Sequence, residues 1–150
     1  MSRVSAAYTC ANLSGPRSPS HAHDTELAEQ YLRQLSALPL EVEPSSPARQ
    51  RVAEQLTAAM RILREEPRLA EACTRALLGA HDPPASVRSR IGAEVHRRVA
   101  STVGAGAWPE VVTTLETIFW GELIQAQTTS LDYPAAAARL ETMVSLVLPD

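Results

Sequence analysis

Apolar residues recur along most of this chain at intervals of three and four, the spacing of one helix face. Leu27, Tyr31, Leu32, Leu35 and Leu38 make the first such stripe, with Asp24 and Thr25 placed to cap it and Pro39 to end it. The stretch "EVEPSSP" reads as a loop. Ser46 as cap and Pro47 as first helical residue then open a second segment, because a proline there lacks an N–H that would have no partner anyway. Its stripe is Val52, Leu56, Met60 and Leu63. Pro67 restarts the pattern, and Leu69, Cys73, Ala76 and Leu77 line a third helix that stops near Gly79. After "HDPP", the segment from Ala85 to about Val103 carries Val87, Ile91, Val95 and Val99 before "GAGAW" ends it. Pro109 begins the longest helix, "PEVVTTLETIFWGELIQAQTT", and "SLDY" leads into the last, "PAAAARLETMVSLVL". No run alternates apolar with polar residues, so no strand is expected. The class is all-α: a bundle of about six helices whose short connections favour antiparallel neighbours.

The beginning of the chain departs from this pattern. "VSAAYTCANLSG", residues 4–15, reads as a short amphipathic helix, and "SGPRSPSHAHD", residues 14–24, as a linker rich in proline and serine. The expected organisation is a leading segment over 1–23 and a helical domain over 24–150.

Composition narrows the function classes. A chain of 150 residues is at most one domain, and one of this size buries roughly two-thirds of its unfolded surface. Aromatic residues are only 4% against 45% hydrophobic, so Ala, Leu and Val must build the core, which suits close helix packing. The formal charge of −3 gives no general attraction to nucleic acid or anionic membrane. All 14 cationic residues are arginine, which identifies no partner. Cys10 and Cys73 are isolated thiols rather than a disulfide framework. With no signal-peptide core and no apolar run of membrane-spanning length, a soluble cytoplasmic protein without membrane association is the expectation.

Candidate chemistry is sparse. "GAGAWP" has two glycines of a dinucleotide loop but a proline in place of the third and no strand before it. His21, His23, Asp24 and Cys10 lack a second ligand pair at metal-binding spacing, so neither metal nor cofactor is expected. His81 and Asp82 suit a turn, His96 a partly exposed helix position and Cys73 a small core residue. Glu116 and Glu122 share the longest helix and are the one pair with acid–base potential. No nucleophile elbow accompanies them, so no catalytic residues and no enzyme activity are expected.

The last two helices carry a resemblance. The aromatic pair Phe119–Trp120 in a long apolar helix, a polar turn ending in Asp132, and a final helix running through Arg139-Leu140-Glu141 to Val144, Leu146, Val147 and Leu148 resemble the C-terminal end of TetR-type transcriptional regulators. Upstream, "AMRILREEPRLAEACTRALLG" is similar to the family's central helix pair, so the likeness covers roughly residues 25–150. The opening segment is similar to part of the family's recognition helix: Val4-Ser5 matches its start, Cys10 and Leu13 stand where the family has Tyr and Phe, and Pro16 lies near its Lys. Tyr31-Leu32 then stands where the family's connecting helix enters the ligand domain. The two supporting helices of a helix-turn-helix do not fit in the three residues before Val4, so the expectation is that 1–23 is a disordered or remnant recognition-helix segment and linker, and that the chain is a truncated regulator without autonomous DNA binding.

The resemblance implies a ligand-binding domain and a homodimer. An apolar small-molecule effector would be walled by Leu56, Met60, Leu63, Cys73, Leu77, Val99, Leu115 and Phe119, with Leu69, Val95 and Ile118 behind them. Thr57, Thr74 and Glu122 are the candidate polar points, and Ala59, Ala70 and Ala76 the small residues that would leave room. The dimer seam would be a four-helix bundle using Trp120, Leu123, Ile124 and Gln127 with Ala136, Leu140, Met143, Val144 and Val147. DNA becomes a partner only if a longer chain or a partner supplies the helix-turn-helix. The competing reading is a free-standing helical interaction module that heterodimerises with an intact regulator.

Overall fold

The computed structural model describes residues 19–40, 45–79, 86–129 and 132–149. Over these it contains six helices and no strand: α1 (Pro19–Ala37), α2 (Ala48–Glu65), α3 (Pro67–Leu78), α4 (Val87–Val103), α5 (Pro109–Thr128) and α6 (Tyr133–Val147). The all-α bundle read from the periodicity is therefore the fold. Residues 4–15, with their recognition-helix similarity, and the His81–Asp82 turn lie outside the described residues.

Most boundaries follow local chemistry. Pro67 and Pro109 each occupy the first turn of a helix. Ser86 caps α4 by accepting the Ser89 N–H, and Asp132 caps α6 by accepting the Ala135 N–H at 2.8 Å. The "GAGAW" stop works through backbone geometry: Gly104 (φ 98°) and Gly106 (φ 86°) adopt left-handed conformations that side chains with a Cβ disfavour.

Two expected caps are corrected. Helix α1 begins at Pro19, inside the stretch expected as linker, so Asp24 and Thr25 lie within the helix rather than before it. Thr25 donates to the His21 carbonyl one turn back, while Asp24 receives Arg75 of α3 at 2.7 and 2.9 Å. That hydrogen bond holds the Asp24 carboxyl below its usual range. Pro47, not Ser46, is the N-cap of α2, with no side-chain cap bond; the Ser46 carbonyl instead accepts from Arg51.

The core stripes meet as the spacing dictates. Helix α1 packs on α3 and α4, α2 on α4 and α6, and α5 on α4 and α6. Tyr31, Leu35, Val52, Leu63, Ile91 and Leu115 are fully buried where these faces converge. Arg98 is the charged exception, 3% exposed on α4. Its guanidinium donates to the carbonyls of Ser36 and Leu38 at the end of α1, to Gln55 of α2 and to Glu94 one turn earlier on its own helix. One side chain thus satisfies terminal carbonyls of α1 and ties three helices together. Arg97 first, then Arg98, hold the Glu94 carboxyl below its ordinary range.

Candidate functional site

The eight residues expected to wall an effector lumen do come together, as packing. Leu56, Met60, Leu63, Cys73, Val99, Leu115 and Phe119 belong to one buried cluster, and Leu77 lies against its edge. Phe119 meets Trp120 edge to face, with ring centroids 4.9 Å apart. Burial pushes the Cys73 thiol up to about 12.

Of the three proposed polar points, Thr74 is satisfied by the Ala70 carbonyl at 2.9 Å. Thr57 Oγ1 and Glu122 Oε2 are buried without a hydrogen-bond partner, which is costly for groups withdrawn from water. Arg139 of α6 reaches the other Glu122 oxygen at 3.2 Å. Glu116 turns to a different neighbour, His96 of α4, at 3.1 Å. The two carboxylates are committed to different helices and do not form an acid–base pair. His21, His23 and Asp24 form no metal-binding group, and among the described residues there is none.

Thr57 has space beside it. A groove of about 550 Å³ runs along the seam between α2 and α6, and a second cavity of about 90 Å³ shares its Thr57 and Arg61 walls. Of the eight lumen residues, Met60 alone lines either of these two spaces. Sequence reading passed over Arg61, Arg64 and Tyr133 here. The available signal was a polar row on α2, Thr57, Arg61 and Arg64, beside the apolar row that drew attention.

The nine seam residues divide. Leu123, Ala136, Leu140 and Val144 are 0% exposed inside this one chain, because α6 turns that stripe onto α5 and α2. Their surface is already packed within this one chain. Gln127 is held by its bond to the Tyr133 hydroxyl, and Trp120 and Val147 pack against the core edge. Ile124 and Met143 keep partial exposure.

The outward side of the same helix pair has a distinct character. On α5 the positions Thr117, Gly121, Ile124 and Thr128 fall on one face, and a Cβ added at Gly121 would meet nothing within 4 Å. On α6 Ala135, Arg139, Thr142 and Leu146 fall together, with Leu146 78% exposed and Arg139 directed to Glu122. Thr117, Thr128 and Thr142 donate their hydroxyls to carbonyls four residues back. Covering this face would therefore strand no hydroxyl donor. The exposed residues of α2 are different in kind, including Glu54, Arg61, Arg64 and Glu65.

Comparison with known proteins adds a functional class. No protein-family model matches the chain, and no solved structure matches it. Proteins of Mycobacterium bovis and of two Mycobacterium tuberculosis strains, each named an uncharacterized HTH-type transcriptional regulator, are 40% identical to it over 124 residues. The match takes in 81% of this chain, which spans 58% of the length of those relatives. No helix among the described residues is long and apolar enough to cross a membrane.

Proposed function

We propose that this chain is the regulatory and dimerisation part of a TetR-type transcriptional regulator. The observation that carries the reading is its 40% identity over 124 residues to proteins named HTH-type regulators. The order of six helices, with an apolar pair at the end, agrees with the family likeness of residues 25–150. Dimerisation runs through the outward face of α5 and α6, where the internally satisfied threonines, Gly121, Ile124, Ala135 and Leu146 suit burial beside Arg139, which pairs with Glu122. The inward stripe with Leu140 stays in the protomer. A small-molecule effector acts on this bundle, and operator recognition comes from a helix-turn-helix in addition to the six described helices.

Gly121→Arg tests the assembly. Open space at this position lets the monomer accept the side chain, while a charge at the seam opposes pairing. Light scattering coupled to size exclusion is expected to show a dimer for the parent and a monomer of native helicity for the variant. An unchanged mass would remove this face from the reading. The same face suits pairing with a longer regulator, so mixing the chain with an intact relative and measuring mass separates heterodimer from homodimer.

A further inference from the structure

We propose that the seam between α2 and α6 binds a small monoanion, a carboxylate whose head enters the smaller cavity and whose short chain follows Ala53 and Ala58 along the groove. The small cavity offers Met60, Pro134 and Ala137 as its apolar surface, and no carboxylate lines it. Its polar walls are of one kind. The Thr57 hydroxyl is buried there without a partner. Tyr133 accepts a hydrogen bond from Gln127, which leaves its own hydroxyl proton free to donate. Arg61 and Arg64 are exposed at the mouth and, unlike Arg75, Arg90, Arg97, Arg98 and Arg139, make no hydrogen bond or ion pair.

Two permanent cations and two available hydroxyls complement an anion, and guanidinium groups suit a planar carboxylate. The larger groove continues past Ala53 and Ala58, small residues that leave the helix seam unfilled, between polar side chains that include Gln50 and Ser145. Glu54 and Glu141 line it together with Arg49 and Arg61, so its formal charges balance and the excess of cations lies at the smaller cavity, which favours an anion with one head. The combined space falls in the range of small-molecule sites. This site differs from the apolar core cluster of Leu56, Cys73 and Phe119, and the binding claim does not depend on the regulator reading. Only its use as an effector site does.

Octanoate and 1-octanol, titrated calorimetrically and by melting temperature into the purified chain, test the assignment. Octanoate is expected to bind and raise the melting temperature, with 1-octanol at least tenfold weaker. The double variant R61Q/R64Q should lose at least tenfold in octanoate affinity, T57V several-fold, and R33Q, on the exposed side of α1, nothing. Should the double variant lose its native circular dichroism, R64Q alone carries the expectation at several-fold. Equal affinity for the acid and the alcohol, undiminished binding by a folded arginine variant, or no binding of octanoate overturns the proposal. None of these outcomes bears on the dimer mass measured for Gly121→Arg, so the two readings fail separately.

Discussion

Two buried residues show opposite uses of a reactive group. Cys73 is 1% exposed and its thiol is pushed up to about 12 by burial, so at pH 8 it is both protonated and covered. In a Cys10→Ser variant, Cys73 is expected to react with iodoacetamide only as fast as the protein unfolds. Labelling at the rate of a free thiol would show that the core around α3 opens to solvent. Arg98 is buried as a charge, and it persists because Glu94, Gln55 and two α1 carbonyls occupy its donors. Arg98→Ala strips those carbonyls of their partner and is expected to cost about 3 kcal/mol in urea unfolding. Arg98→Lys should recover under half of that, since an ammonium cannot span the same fork. Full recovery would mean that charge alone, rather than the guanidinium geometry, holds α1.

At the scale of the helices, the positions that local chemistry encodes were legible. Pro67, Pro109 and the Gly104–Gly106 stop stand where the sequence places them because each acts through its own backbone. The start of α1 was missed although Pro19 obeys the same rule, since His21, Ala22 and His23 are exposed and give no apolar period. The stripe on α6 has a use within the chain that its own sequence does not announce. Leu140 and Val144 read as an unpartnered stripe until α2 is packed on them, and no residue near them in sequence announces α2. Links between helices also set the acid response. Asp24 on Arg75, and Glu94 on Arg97 and Arg98, both have carboxyls held below their ordinary values of 3.8 and 4.5. As pH falls through that range the unfolded chain takes up protons first, so these contributions are full above about pH 5 and are lost below it. Melting temperature should be flat from pH 7 to 5 and fall toward pH 3, with a shallower fall in Asp24→Asn. An identical slope in that variant would assign the acid response to other carboxylates.

For the molecule as a whole, inside and outside of the α5–α6 pair must be told apart by experiment, and the two faces predict different failures. Leu140→Arg places a charge at a position 0% exposed within one chain, so loss of helicity is expected together with any loss of mass. Gly121→Arg should lose mass alone. The charge pattern argues in the same direction about DNA. The chain carries −3 overall, and several of its arginines are engaged: Arg75 with Asp24, Arg90 with Glu29, Arg97 and Arg98 with Glu94, and Arg139 with Glu122. Phosphate contacts need free cations arrayed along one surface, and their contribution falls steeply with salt. Of the free arginines, Arg61 and Arg64 sit over a cavity of about 90 Å³, while Arg33 lies apart on α1 and Arg68 at the start of α3. In a gel-shift experiment with genomic fragments at low salt, the purified chain is therefore expected to give no sequence-selective retention. Fusing it to a helix-turn-helix unit should give salt-sensitive retention that the Gly121→Arg change weakens. Selective retention by the unfused chain would instead place a DNA-reading surface within these 150 residues.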